Sequence, residues 1–280
     1  MSTNENSIFT NLTGVRSFFE GLGKIYAPAT DVDVQHQMIA SVNCYWFTPS
    51  GAPGNRLIVY LHGGGYVLGS IRSHQALVSH MARNSNTKTL LIDYSLAPEH
   101  PYPQALNDVL KVYAELVRIS GDSSIYFIGD SAGGGLAVSA LGQLQHQHVR
   151  QPSGVVLLSP WLNLNTDSPS YANNAAIDPI LSPQSVREYA LAYNPKHAKE
   201  ANPSSISFSR FPPVLIIVGT QEILLDDSQF FYEQIQKIQE DSELRVVSGQ
   251  THVWMLTSID HEDSKEALKR IKQFISEKDN

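Results

Sequence analysis

The chain has 280 residues, 42% hydrophobic and 17% charged, with a formal net charge of −7. Such a composition belongs to a globular chain with a large core, and the acidic balance excludes a nucleic-acid partner, since a phosphate backbone calls for a basic face. A single cysteine, Cys44, rules out an intrachain disulfide and fits a reducing compartment.

Residues 1–6 are polar, with neither the basic start nor the apolar run of a signal peptide. No stretch approaches the ~20 apolar residues of a membrane span. The expected location is therefore the cytoplasm. Residues 1 to about 35 carry an apolar helical pattern, Val15, Phe18, Phe19 and Leu22, ahead of any strand. Residues 42–47 read as a strand, with Cys44 as a small buried hydrophobe rather than a reactive thiol.

The run 57–61 is the next strand, and His62-Gly63-Gly64-Gly65-Tyr66 follows it directly. Three successive glycines cost conformational entropy, so something must need exposed backbone there. An oxyanion hole does, because its N–H groups must reach a developing negative oxygen. A phosphate cradle would need the Gly-Lys-Ser/Thr of a nucleotide loop, which is missing. His62 reads as a residue that holds the loop. A helix over 73–83, a strand over 89–93 and a helix over 103–119 come next.

The strand 125–128 runs into Gly129-Asp130-Ser131-Ala132-Gly133-Gly134, which opens a helical pattern over 131–145. A serine on so sharp a strand-to-helix turn has strained backbone angles and needs small neighbours at Gly129 and Gly133. The turn lifts the hydroxyl above the sheet, beside the free N–H groups of the helix N-terminus. Ser131 is the expected nucleophile.

A strand over 155–158 precedes an insert, 162–210, rich in Asn, Ser, Pro and Ala. Its one clear helix starts at Ser182-Pro183, a Ser cap with Pro in the first turn. Long loop-rich inserts in compact domains are usually lids or binding loops. After a strand over 214–218 comes Gly219-Thr220-Gln221-Glu222-Ile223-Leu224-Leu225-Asp226-Asp227, where three acids compete to orient a catalytic histidine. Glu222 is the expected acid, in the turn at the carboxyl end of the sheet. Asp226 and Asp227 fall in the first turn of a helix over 226–238, where the dipole favours carboxylates. The last strand, 244–247, leads to Gly249-Gln250-Thr251-His252. His252 stands in the order Ser, acid, His and is the expected base; His146 and His148 read as a solvated helix end. A helix over 262–275 closes the chain, with Leu268, Ile271 and Ile275 as its apolar stripe.

Short, continuous apolar runs alternating with helices imply an α/β chain with a mostly parallel, doubly wound sheet. No residues have metal-ligand spacing, and neither a metal nor a cofactor is expected.

His62–Tyr66, Asp93-Tyr94-Ser95-Leu96-Ala97-Pro98-Glu99, Gly129–Gly134, Ser159-Pro160-Trp161 and Gly249–His252 together resemble the hormone-sensitive-lipase-like family of α/β-hydrolases. The resemblance runs from about residue 57 onward. It implies an α/β-hydrolase sheet of about eight strands and a cap built from about 1–35 and 162–210. It implies a carboxylesterase using Ser131, Glu222 and His252, with oxyanion N–H groups at Gly64, Gly65 and Ala132. The expected partner is a small ester with a short acyl chain, and a homodimer is expected. Two positions depart from the family pattern: Glu222 stands where Asp is usual, and Ser95 where Arg is common. Two other uses of such a site are an amidase or lactonase, with a different leaving group, and a small-molecule receptor on the same fold. The receptors lack a working His, whereas His252 is present.

Overall fold

The computed structural model describes residues 8–277; the polar start, residues 1–6, lies outside them. Helix α1 (Leu12–Glu20) is capped by the Asn11 side chain and runs into a 3₁₀ turn, Gly21–Lys24. Strands β1 (Val32–Ile39) and β2 (Val42–Pro49) form an antiparallel pair. They are followed by β3 (Arg56–Leu61), α2 (Ile71–Ser85), β4 (Lys88–Asp93), α3 (Gln104–Ser120), β5 (Ser124–Asp130), α4 (Ala132–His146) and β6 (Gly154–Leu158). The insert holds a short α5 (Ser170–Asn173) and α6 (Pro183–Tyr193). β7 (Val214–Gln221), α7 (Leu225–Ile235), β8 (Ser242–Thr251) and α8 (Glu262–Glu277) complete the chain.

The eight strands form one sheet in the order β1-β2-β4-β3-β5-β6-β7-β8, parallel from β4 to β8. Alternate residues of each central strand feed two cores. Val59, Leu90, Phe127, Leu157 and Ile216 pack toward α3, α4 and the insert. Ile58, Leu91, Ile128, Val156 and Leu215 pack toward α2 and α8. Both faces are covered, which is why these strands read as unbroken apolar runs. Leu268, Ile271 and Ile275 of α8 enter the second core as expected.

Four elements depart clearly from the sequence expectation. Residues 32–35, expected in the cap, are strand β1, whose interior is exposed and offers no apolar run. β7 continues through Gly219 to Gln221, and β8 through Gly249 to Thr251, because the two pair again across a register shift, Gln221↔Thr251. A side chain at Gly219 would collide with the Gln250 carbonyl, so this glycine marks a close backbone approach inside the sheet. Helix α7 stops at Ile235, three residues early.

Candidate active site

The carboxyl ends of β5, β7 and β8 deliver one residue each to a common point. Ser131 follows β5 directly, with φ 52° and ψ −122°. That strained backbone survives because its surroundings over-determine it: the Ser131 N–H donates to Leu158 O (2.9 Å), and its carbonyl accepts from Trp161, Gly134 and Gly135. A Cβ on Gly129 would strike the Gly133 carbonyl, and one on Gly133 would strike the Leu61 carbonyl. Both positions require glycine.

His252 is the first residue after β8. Its Nε2 lies 2.9 Å from Ser131 Oγ, and its Nδ1 lies 2.8 Å from Glu222 Oε2. Glu222 is the first residue after β7 and is fully buried. Its other oxygen, Oε1, accepts the Gly219 N–H and the Ser159 hydroxyl, each at 2.8 Å. With the Nδ1 proton pointing at Glu222, Nε2 is left to accept from the serine. Burial of His252 disfavours its cation, but the hydrogen bond and charge of Glu222, with Asp178 and Asp130 behind, more than offset this and raise its pKa above 6.5.

The two competing acids serve elsewhere. Asp226 Oδ2 accepts the Ser170 N–H at 2.7 Å. Asp227 takes the N–H groups of Leu162 and Asn163 and the hydroxyls of Ser168 and Tyr171. Burial pushes its carboxyl up to about 7 against the pull of those donors.

The glycine loop after β3 lies beside this line. Gly64 (φ 112°), Gly65 (φ 62°) and Tyr66 (φ 63°) all have left-handed backbone. A methyl on Gly64 would meet the Leu68 carbonyl, and one on Gly65 would meet the Tyr189 ring. Gly64, Gly65 and Ser131 face one cavity of about 430 Å³. Ala132 opens α4, so its N–H has no partner within the helix. His62 is fully buried, donates from Nδ1 to Gly63 O (2.8 Å) and stacks on Tyr94 at 4.3 Å. Burial and the neighbouring His74 push its pKa down to about 3, so it stays neutral in place. Its position is that of a loop support.

The cavity walls come from two segments. Val15, Phe18, Phe19 and Leu22 line it from the N-terminal side, and Ile180, Leu181, Val186 and Tyr189 from the insert. Helix α6 starts as expected, with Ser182 in a capping box and Pro183 in the first turn.

Sequence reasoning gives no role to two residues at the site. Ser159 (φ 45°) donates to Glu222 and accepts the Val253 N–H at 3.2 Å, bridging the acid loop to the histidine loop. Asp130 accepts from the glycine loop. Both sit inside recognisable motifs, yet their partners are more than 60 residues away, beyond any local signal.

Comparison with known proteins gives this geometry a family. The family described as alpha/beta hydrolase fold matches residues 58–256. The chain belongs to it. It is 32% identical to an esterase of Acinetobacter venetianus over 81% of this chain and 77% of that one. It is 31% identical to an acetyl-hydrolase of Streptomyces hygroscopicus over 84% and 78%. The crystal structure of an esterase from the bacterial hormone-sensitive lipase family superposes with a TM-score of 0.91 at 32% identity, covering 95% of this chain and 91% of that one. The chain is thus a hormone-sensitive-lipase-like α/β-hydrolase and a carboxylic ester hydrolase. Among the described residues, no helix is long and apolar enough to cross a membrane.

Proposed function

We propose that this hydrolase cleaves short-acyl esters through a covalent acyl-enzyme, with Ser131 as nucleophile, His252 as base and Glu222 as the acid that orients it. The observation that carries the reading is the unbroken hydrogen-bonded line Glu222–His252–Ser131, at 2.8 and 2.9 Å, opening onto an apolar-walled cavity. Ser131 Oγ attacks the ester carbonyl while its proton passes to His252 Nε2. The carbonyl oxygen becomes an oxyanion, received by the N–H groups of Gly64, Gly65 and Ala132. Collapse expels the alcohol, which takes the proton from His252. Water then repeats the sequence on the acyl-enzyme and releases the acid. Glu222 stabilises the imidazolium that forms in each half.

The segment before β1 and the 162–210 insert are proposed to act as the cap, and the walls they supply limit the apolar length the site can take. A cytoplasmic location and a homodimer belong to the same proposal; sedimentation equilibrium tests the second. The central test is chemical. A fluorophosphonate should label Ser131 alone, mapped by mass spectrometry, and Ser131→Ala should reduce kcat by about 10⁶, as loss of the nucleophile does in another triad. Labelling at a different serine would overturn the assignment.

A further inference from the structure

We propose that Asp130 is a positioning residue for the oxyanion loop: its carboxylate holds the Gly63 N–H and thereby fixes where the Gly64 and Gly65 N–H groups point relative to Ser131. The inference rests on the oxyanion hole proposed above.

Asp130 is the last residue of β5 and the covalent neighbour of Ser131, and only 1% of its surface is exposed. A carboxylate so buried is costly unless donors surround it. Oδ1 accepts the Gly63 N–H at 3.0 Å and the Tyr60 hydroxyl at 2.8 Å. Oδ2 faces His74 Nε2 at 3.4 Å. With its proton on Nε2, His74 donates to Asp130, while its Nδ1 lies 2.8 Å from the Ser73 hydroxyl. Burial pushes the Asp130 carboxyl up, but His74, with the hydrogen bonds from His74 and Tyr60, outweighs this and holds it below the usual range.

The loop needs such a hold. Three consecutive residues, Gly64 to Tyr66, have positive φ. The Val67 and Leu68 N–H groups on Gly64 O, the Ala97 N–H on Tyr66 O and the Tyr94 hydroxyl on His62 O hold the loop's carbonyls, and Asp130 holds its Gly63 N–H. A methyl on Gly63 would collide with the Asp130 carboxylate and come within 3.0 Å of Ser131 Cβ, so loop and nucleophile turn touch with no space between them. One residue therefore ties the oxyanion donors to the backbone that carries the nucleophile. Transition-state donors work only when held to within about 0.5 Å. For packing alone an apolar side chain would serve; this one commits a buried charge to a loop N–H.

The test compares Asp130→Leu, similar in size but without an acceptor, with Asp130→Asn, which keeps Oδ1 as acceptor for Gly63. Three quantities are read per active site, after fluorophosphonate titration: kcat, KM, and affinity for an alkylboronic acid that mimics the tetrahedral intermediate on Ser131. Loss of one oxyanion donor costs about 10²–10³ in kcat, so a displaced set should cost about 10–100-fold. In Asp130→Leu, kcat and boronate affinity should fall together by that factor, with KM within about threefold. Asp130→Asn should recover to within about fivefold of wild type, since the hydrogen bond is restored. Asp130→Ala carries the same comparison should the Leu variant not fold. Unchanged per-site kcat and boronate affinity in the acceptor-free variant, with only fewer active sites, would mean that Asp130 merely supports the fold. An Asn variant as impaired as Leu also overturns the proposal. Boronate binding by wild type that is lost in Ser131→Ala tests the underlying site separately; if wild type itself does not bind, both readings fall.

Discussion

Replacing Glu222 by Gln probes the orienting carboxylate with the smallest change of shape. Glu222 Oε1 already serves two donors, the Gly219 N–H and the Ser159 hydroxyl. The Gly219 N–H belongs to strand β7 and cannot turn away. In Glu222→Gln the amide oxygen must therefore take the Oε1 place, which leaves the amide N–H facing His252 Nδ1. That N–H donates to the ring, so the imidazole proton moves to Nε2, the nitrogen that should accept from Ser131. The base is then in the wrong tautomer. The equivalent amide substitution in another triad reduces kcat by about 10⁴, or ~5 kcal/mol of transition-state stabilisation. Initial rates on p-nitrophenyl butyrate, normalised to titrated active sites, measure it. Asp226→Asn is the control and should keep near-normal kcat, because Asp226 reaches Ser170 and not His252. Near-normal kcat in Glu222→Gln, with loss in Asp226→Asn, would refute the reasoning.

Two further outcomes follow from the same geometry. His252 acts as base only when neutral, and Glu222 raises its pKa above 6.5; kcat/KM should therefore fall on acidification with a midpoint above that value, and a midpoint well below it would contradict the pairing. Because Phe18, Phe19 and the α6 segment wall the cavity, kcat/KM across p-nitrophenyl esters should rise by up to about 0.8 kcal/mol per methylene and peak at roughly four to six acyl carbons; a rate still climbing at about twelve carbons would contradict a bounded pocket.

Much of the sheet is legible in the sequence because it is buried on both sides. β3, β4, β5 and β6 show continuous runs of aliphatic and aromatic residues, and each begins and ends within two residues of its apolar run. β1 is hidden because only its end residues, Val32 and Ile39, are buried; Val34 and Met38 alternate correctly but stay 43% and 60% exposed. Glycine misleads at two strand ends. Gly219 and Gly249 read as turns, whereas they lie in the irregular stretch where β7 and β8 pair on to Gln221 and Thr251. The candidate site is legible where chemistry demands a local pattern: the turn around Ser131, the glycines after β3 and the loop of His252. Ser159 and Asp130 are not, since a buried hydrogen bond between distant residues leaves no mark on spacing.

The choice among three acids also shows what the insert does beyond walling the cavity. Alongside Ser159 and Gly219, insert residues hold the loop carrying Glu222. Asp178 Oδ2 accepts the Ile223 N–H at 2.8 Å, and the Asn174 side-chain amide donates to the Thr220 and Glu222 carbonyls at 3.3 and 2.9 Å. The Ser170 hydroxyl donates to the Ile223 carbonyl at 2.6 Å, while its N–H goes to Asp226. Asp227 gathers the first turn of the insert through Leu162 and Asn163. Asp226 and Asp227, which compete with Glu222 in sequence, are thus the feet of the insert, and their helix-start position gives them that reach. A displaced insert would shift Ile223 and with it the carboxylate one residue before. The segment that shapes the substrate cavity and the loop that orients the base belong to one hydrogen-bonded unit, so substitutions in α5, which lies off the cavity and holds the Glu222 loop through Ser170, should alter kcat even on the smallest ester.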